Sequence, residues 1–193
     1  MLAGGASRRF SADKAQFRLY PDGPTMLESV LYVARKLTPN VVIVGHRRYH
    51  PLAAGVPILS EADPGRGPLP AIETALSSTS ASRVLVLACD MPCLSIPLLA
   101  WMARLRTGAD AVVPRTNDGR WHPLHAIYSS SCLPAIHAAQ VGGKRSANAF
   151  YQDILVQAVT EKSMRLLDPS LCSLFSLNSP DEVEQARLCA RFS

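Results

Sequence analysis

The first fourteen residues combine a glycine turn with basic side chains. Gly4 and Gly5 lack a Cβ, so the backbone can approach a ligand closely and its amides can point at phosphate oxygens. Arg9 offers a planar guanidinium to such oxygens, and Lys14 offers a mobile point charge. The segment therefore predicts a site for a nucleoside triphosphate. A surface turn with solvated basic residues is the alternative that the segment alone leaves open.

An aspartate stands where a predicted strand ends. Asp90 directly follows the apolar run 84–88, and Pro92 fixes the direction in which the chain leaves that strand. Mg²⁺ prefers hard oxygen ligands, and one or two carboxylates with water and phosphate complete its coordination shell. Asp90 is therefore the candidate metal ligand. An aspartate that only caps the following turn is the alternative.

The elements that must position these side chains alternate between strand-like and helix-like segments. Asn40–Gly45 and Arg83–Cys89 are short aliphatic runs typical of buried strands, and Thr25–Leu37 has helical spacing. This alternation predicts an α/β fold with a mostly parallel, Rossmann-like sheet flanked by helices, in which ligands bind at the carboxyl ends of the strands. The remaining predicted elements are a strand at Ala109–Val113 and helices at Ala71–Ser77, Ile96–Arg106 and Ser179–Phe192.

Length and composition are typical of one compact α/β domain, which we predict to span residues 1–193: 48% of the residues are hydrophobic and 18% are charged. The net charge of +5 would suit nucleic acid, but the basic residues are dispersed and aromatic residues make up only 6%. An anionic small molecule explains the charge as well, so no nucleic-acid partner is expected. No apolar run is long enough for a membrane span and no signal-peptide pattern precedes the glycine turn, so we expect a cytoplasmic protein without a membrane partner.

The five cysteines are odd in number and scattered, which argues against a disulfide framework. Cys89 and Cys93 lack a second pair of ligands that would complete a zinc site, so we interpret them as small residues packed near a strand end. Neither a disulfide framework nor a zinc site is therefore expected.

Five segments form an ordered set that extends over almost the whole chain: Leu2–Lys14, Gly67–Ile72, Cys89–Pro92, His122–Tyr128 and Phe175–Val183. This set resembles the motifs of the MobA-type nucleotidyltransferases, the molybdenum cofactor guanylyltransferase family, and it occurs in that family's order. The resemblance implies the nucleotidyltransferase fold. It also implies a Mg²⁺-dependent enzyme that transfers GMP from GTP to the terminal phosphate of molybdopterin and releases pyrophosphate.

The resemblance implies roles for the charged residues around the triphosphate. Arg9 and Lys14 would neutralise charge at the α-phosphate, and Asp90 would bind Mg²⁺. Asp13, directly before Lys14, is expected to orient that lysine or to end the loop. The residues assigned to nucleotide binding are Leu2, Ala3, Gly4, Gly5, Lys14, Asp63 and Asp90.

Base recognition and the second substrate are assigned to later residues. A carboxylate that accepts the N1–H and N2–H₂ donors of guanine would distinguish it from adenine, and Asp63 is preferred to Glu61 for this role. In the resembled family the stretch around His122 lies by the molybdopterin pocket, Arg145 belongs to a basic loop for the pterin phosphate, and Asn178 matches a late asparagine. A structural histidine and a solvated turn are the alternatives for His122 and Arg145.

Two departures from the family pattern lie near the glycine turn. Ser11 stands where the family usually has glycine, which costs on the order of 1 kcal/mol if that position needs positive φ. Met1 and Leu2 stand where the family normally has several apolar residues of a first strand. We therefore expect a curtailed strand, and higher stability and GTP affinity in a chain extended upstream.

The residues leave other functions open. A cytidylyltransferase for the same cofactor would share fold and mechanism, but that branch more often reads Leu-Ala-Ala-Gly, so Gly4 and Gly5 favour guanine. A sugar-phosphate nucleotidyltransferase is a wider relative. A degenerate homologue would bind nucleotide, or chaperone the cofactor, without catalysis. A molybdoenzyme or its chaperone is a further partner that the resemblance implies.

Overall fold

The fold is built on two β-ladders. The computed structural model describes residues 1–3, 13–53, 55–61, 65–105 and 108–190, and all elements given below belong to these residues. The strands are β1 Leu2–Ala3, β2 Ile43–Gly45, β3 Ile58–Leu59, β4 Arg83–Leu87, β5 Ala111–Arg115, β6 His125–Ser129 and β7 Val156–Thr160. One ladder has three strands in the order β3-β2-β1, and the other has four strands in the order β4-β6-β5-β7.

The two ladders join between β1 and β4. Leu2 forms a parallel bridge with Ala88, and the Cys89 amide donates a hydrogen bond to Leu2 O over 3.0 Å. The pairs that β6 forms with β4 and β5 are antiparallel, and the other strand pairs are parallel. The predicted mostly parallel, Rossmann-like sheet is therefore confirmed, with β6 as a reversed strand inside it.

The helices are α1 Met26–Leu37, α2 Leu69–Ser77, α3 Ile96–Arg104, α4 Leu133–Val141, α5 Glu161–Met164 and α6 Val183–Ala190. At the start of α1, the Glu28 amide donates to Thr25 Oγ1 over 3.2 Å and the Thr25 amide donates to Glu28 Oε2 over 2.7 Å. This reciprocal cap satisfies two otherwise unpaired amides, and it confirms the helix predicted at Thr25–Leu37. Across the described ranges, no helix has both the length and the apolar character needed to cross a membrane.

Element boundaries differ from the predictions where the chain turns. The strand predicted at Arg83–Cys89 ends at Leu87, because Cys89 and Asp90 form a turn. The last predicted helix starts as a 3-10 turn over Pro180–Glu182 before α6 begins. Other observed bounds are shifted from the predicted ones by a few residues: Ile43–Gly45, Leu69–Ser77, Ile96–Arg104 and Ala111–Arg115.

Side chains of the central strands alternate between two apolar cores, one on each face of the sheet. The core under α1 contains Leu27 and Leu31 of that helix, and the core under α2 and α4 contains Ile72 and Ile136. Helices therefore pack on both faces, as the fold prediction requires. The strand residues are Ala3, Ile43 and Leu87 in the first core and Leu2, Val44 and Val86 in the second.

One pair of cysteines departs from the expectation. Cys172 and Cys189 form a disulfide with a Cα–Cα distance of 5.3 Å, so the expected absence of a disulfide framework is corrected for this pair. The fold makes the pairing by bringing α6 against the 3-10 turn that begins at Cys172, which sequence spacing does not reveal. Cys89 and Cys93 are buried side chains that follow the end of β4, as interpreted from the sequence.

Candidate functional site

Three of the predicted site residues meet at the carboxyl ends of β1 and β4. The Lys14 ammonium donates a hydrogen bond to Asn178 Oδ1 over 3.1 Å and lies 3.7 Å from Asp90 Oδ2. The Lys14 and Asp90 side chains are 17% and 24% exposed, so a ligand can reach both. The fold thus assembles a cation, a carboxylate and an amide, of which Lys14 and Asn178 are 164 residues apart in the chain.

Lys14 begins a 3-10 turn that Asp13 caps. The Ala15 amide donates to Asp13 Oδ1 over 3.1 Å. The same oxygen accepts a hydrogen bond from the Tyr49 hydroxyl over 3.0 Å, and Asp13 Oδ2 lies 2.9 Å from Arg48 Nη2. Asp13 therefore holds the backbone from which the Lys14 side chain extends.

Asp90 lies in the turn directly after β4. Its carbonyl oxygen accepts a hydrogen bond from the Leu177 amide over 2.8 Å, which ties this turn to the segment that carries Asn178. Burial raises the pKa of Asp90 above its usual value, although the Lys14 ammonium acts in the opposite direction. A second cation beside this carboxylate would favour its ionised form.

Asn178 is oriented by the backbone and by Glu182. The amides of Asn178 and Ser179 both donate to Glu182 Oε2, the second over 3.1 Å. Asn178 Nδ2 donates to Ser176 O over 3.0 Å. Because the NH₂ group of the side chain is used in this way, its carbonyl oxygen faces the Lys14 ammonium.

His122 lies at the same edge of the sheet, in the connection between β5 and β6. His125, the first residue of β6, pairs with Leu87 at the end of β4. The His122 amide donates to Pro114 O over 3.0 Å, and among the described residues its buried Nε2 has no hydrogen-bond partner. Burial lowers the pKa of His122 to about 4, so its ring is neutral at pH 7.

Arg145 lies in an exposed loop that packs against the segment before α2. Gly67 has a φ of +89°, and a Cβ on it would lie 2.6 Å from Arg145 O. Both the backbone conformation and the close approach therefore require glycine. The contact brings the loop with Arg145 to the Gly-Pro-Leu segment at the start of α2.

Of the other predicted site residues, some lie in or beside the first three strands and the rest lie outside the described part of the chain. Leu2 and Ala3 form β1 and are buried, so their backbone groups rather than their side chains would meet a nucleotide. Glu61 follows β3 and is half-buried, and burial raises its pKa. The residues outside the described ranges are Gly4, Gly5, Arg9, Ser11 and Asp63.

Asp90 fits the predicted Mg²⁺ site. Within the ranges that the structure describes, no three His, Cys, Asp or Glu side chains form a cluster that would hold a metal ion. A nucleotide-bound Mg²⁺ needs only one or two carboxylates, because phosphate and water supply the other ligands. Asp90 provides one such carboxylate at the edge where a triphosphate would lie.

Comparison with known proteins identifies the family. The family model described as the MobA-like NTP transferase domain matches residues 1–159. The chain belongs to this nucleotidyltransferase family. This MobA-like chain is 32% identical over its full length to a probable molybdenum cofactor guanylyltransferase from Pelotomaculum thermopropionicum, covering 93% of that protein. It is 31% identical to a molybdenum cofactor guanylyltransferase from Desulfosudis oleivorans, with 96% of this chain and 92% of the relative covered.

A solved structure resembles the MobA-like chain over nearly its whole length. The crystal structure of molybdopterin-guanine dinucleotide biosynthesis protein A from Archaeoglobus fulgidus gives a TM-score of 0.81 with 25% identity, and the match covers 98% of this chain and 97% of that one. The family resemblance and the nucleotidyltransferase fold predicted from the sequence are therefore confirmed.

The sequence motifs of this MobA-like chain include only some of the residues that hold the site residues in place. Tyr49 and Arg48 contact Asp13 but belong to no motif, so no sequence signal could have assigned them. Glu182 has a signal, because it follows Ser179 by the spacing of a capping box. Its contact with the Asn178 amide extends that cap to a site residue.

Proposed function

We propose that this nucleotidyltransferase transfers GMP from GTP to the terminal phosphate of molybdopterin and releases pyrophosphate. The observation that carries the proposal is the position of the Lys14 ammonium between Asp90 and Asn178 at the carboxyl ends of the central strands. The relatives named as molybdenum cofactor guanylyltransferases support the same pair of substrates, since the chain covers 93% and 92% of their lengths.

The proposed reaction needs no general base. The attacking oxygen of the pterin phosphate is already anionic at neutral pH, and it forms a bond to the α-phosphorus of GTP. The bond from that phosphorus to the bridging oxygen breaks, and its electron pair leaves with pyrophosphate. The protein's task is to align two anions that repel each other and to neutralise charge at the α-phosphorus. Lys14, with Arg9 as its predicted partner, supplies that charge in this proposal.

Asp90 would hold Mg²⁺ in the proposed complex. When bound, the metal ion neutralises charge on the triphosphate and orients its oxygens. The raised pKa of the buried Asp90 fits this role, because a carboxylate that is costly to ionise alone gains most from a nearby divalent cation.

Three residues are proposed to face molybdopterin. Arg145 is exposed in its loop and carries the charge that a pterin phosphate needs. His122 is neutral at pH 7, so in this proposal it offers a hydrogen bond rather than a charge. Asn178 contacts Lys14 and would therefore stand between the two substrates. A cytoplasmic location and a molybdoenzyme or chaperone as further partner belong to the same proposal.

Guanine recognition is proposed for the backbone of residues 2–5 and a carboxylate of the loop after β3, with Asp63 as the candidate and Glu61 as its alternative. A wrong base would leave these groups without partners. We expect Mg²⁺–GTP to bind more tightly than Mg²⁺–CTP or Mg²⁺–ATP by about 1–3 kcal/mol. Equal thermal stabilisation by all the triphosphates would contradict the guanine assignment.

The decisive experiment follows both products. Purified protein is incubated with Mg²⁺, GTP labelled at the α-phosphate, and molybdopterin, and the release of pyrophosphate and the labelled dinucleotide are measured. GTP-dependent formation of both products is the expected result. Turnover with CTP, or with a sugar phosphate as acceptor, would replace the proposed substrates. Nucleotide binding without turnover would identify a non-catalytic homologue.

A further inference from the structure

A buried tyrosine and an exposed arginine hold the aspartate that caps the Lys14 turn. Tyr49 and Arg48 lie in the 3-10 segment Arg47–Leu52 after β2, and Tyr49 is only 3% exposed. We propose that Tyr49 and Arg48 are positioning residues for Lys14, acting through Asp13. The inference rests on the proposed function only in assigning Lys14 to nucleotidyl transfer.

The Asp13 carboxylate is fixed by two hydrogen-bond donors and one ion pair, which reach it from two directions. Within its own turn it accepts the Ala15 amide on Oδ1. From across the fold, Oδ1 also accepts the Tyr49 hydroxyl over 3.0 Å, and Oδ2 pairs with Arg48 Nη2 over 2.9 Å. A carboxylate held by charge-assisted contacts on both oxygens has little freedom to rotate. The hydrogen bond that this carboxylate accepts from the Ala15 amide is therefore fixed as well.

The clamp formed by Asp13, Tyr49 and Arg48 is anchored in the protein core. Tyr49 belongs to the same apolar core as Ala15, the residue after Lys14, and as Ala3 of β1. The Arg48 guanidinium lies 5.2 Å from the centre of the Tyr49 ring and donates to the Tyr49 hydroxyl over 3.1 Å. The two residues thus transmit the rigidity of the core to the turn.

The clamp acts on the backbone of Lys14 rather than on its charge. The Lys14 ammonium faces Asp90 and Asn178, whereas Asp13 binds the next amide in the turn. Fixing the backbone leaves the flexible lysine fewer ways to miss the α-phosphate, and small displacements of a reacting group are costly. Tyr49 and Arg48 should therefore change the rate of phosphoryl transfer and leave recognition of the second substrate unaltered.

The test removes only the hydroxyl of the clamp. Tyr49→Phe keeps the buried ring and should lower kcat for GMP transfer roughly tenfold with the KM for molybdopterin unchanged. In a Lys14→Ala background, Tyr49→Phe should have no further effect, because a residue that acts through Lys14 has nothing left to position. Tyr20→Phe is the control, since it removes a hydroxyl that donates to Arg187 O rather than to Asp13.

Two outcomes would overturn the inference. An unchanged kcat in Tyr49→Phe would show that the hydroxyl does not matter to transfer. If Tyr49→Phe lowers the rate by the same factor in the unaltered protein and in Lys14→Ala, the loss of the hydroxyl has a general structural effect and does not act through Lys14. Arg48→Met should lower kcat by a smaller factor, about two- to threefold, since the Arg48 side chain is 53% exposed. A rate equal to that of the unaltered protein would remove Arg48 from the clamp.

A second readout does not depend on catalysis. The Ala15 amide, which donates to Asp13, should exchange with deuterium faster in Tyr49→Phe than in the unaltered protein, while Tyr20→Phe leaves it unchanged. Unaltered exchange at Ala15 would overturn the clamp. If the unaltered protein transfers no GMP, the proposed function fails, and the exchange rates still decide whether Tyr49 holds the turn.

Discussion

The two ladders of the sheet are built differently, although the candidate site lies between them. Among the residues that the structure describes, the strands of the ladder β3-β2-β1 have two or three residues, and each pair shares two residue positions. In the other ladder every strand has five residues, and β4–β6 and β5–β7 pair along all of them. The first ladder therefore depends far less on backbone hydrogen bonds than the second.

Side-chain contacts supply what the short ladder lacks. The cap at Thr25, the buried face of α1 and the clamp of Asp13, Tyr49 and Arg48 all belong to this half. Gly45 allows β2 to approach β1, since a Cβ there would lie 2.3 Å from Ala3 O. The half for which nucleotide binding is proposed is thus ordered by individual contacts that a single substitution can remove. The other half is ordered by a repeated ladder and serves as the scaffold.

The largest effect is expected where the two halves meet. Lys14→Ala and Asp90→Ala should each lower turnover between about a hundredfold and a thousandfold, because the first removes the positive charge proposed for the α-phosphorus and the second removes the proposed ligand of Mg²⁺. Steady-state rates of pyrophosphate release measure the loss, and circular dichroism checks that the ladders persist. Lys162→Ala, at an exposed position of α5 in the scaffold half, is the matched control. A near-normal rate in either site variant would remove that residue from the mechanism.

Removing the disulfide tests how the segment with Asn178 is held against the place where the two ladders join. Cys172 and Cys189 close a loop with a sequence separation of 17, and such a cross-link stabilises the folded state by about 3 kcal/mol in the chain-entropy model. We expect Cys189→Ser to lower the free energy of unfolding in urea by about that amount. A reductant should lower the free energy of unfolding of the unaltered protein by the same amount, and it should not change that of the variant. A variant as stable as the oxidised protein would show that other contacts of α6 hold the segment.

Low pH should lower the stability of the scaffold half, because unfolding allows the buried His125 to take up a proton. Burial, and to a smaller extent His122, lower the pKa of the fully buried His125 to about 3, while an unfolded histidine titrates near 6.5. Its contribution to stability is therefore complete above pH 6.5 and is lost as the pH falls from 6.5 towards 3, by about 1.4 kcal/mol per pH unit. His125→Gln should reduce the slope of unfolding free energy against pH between 4.5 and 6.5. The exposed His137→Gln is the control, and an equal slope in both variants would exclude His125 as the cause.

The smallest effect concerns the ladders themselves. In the absence of nucleotide, the amides of Ile43 and Val44 in the short ladder should exchange with deuterium about tenfold faster than those of Val86 and Ile127 in the long one. Both sets belong to buried strand residues, so burial alone would make them equal. Equal exchange rates would show that both ladders open as one cooperative unit. The two halves would then differ in the length of their strands but not in local stability.

Local patterns determined much of the fold. The apolar spacing and the Thr25 cap predicted α1 because a helix start is satisfied by residues within one turn. Short aliphatic runs predicted the buried strands, and the position of Asp90 after such a run predicted its place at the carboxyl edge. The family resemblance was carried by local motifs, and the comparisons confirm it. The single domain over residues 1–193 and the roles of the site residues stay predictions.

Tertiary structure decided which of these local pieces meet. Lys14 reaches Asn178 across 164 residues and Asp13 reaches Tyr49 across 36, and neither contact has a periodic or compositional sign in the sequence. The reversed strand β6 and the Cys172–Cys189 disulfide arise in the same way, from the order in which strands and helices pack. Local sequence governs backbone conformation through contacts over a few residues. The site and its supports depend on contacts between distant segments, which only the folded topology specifies.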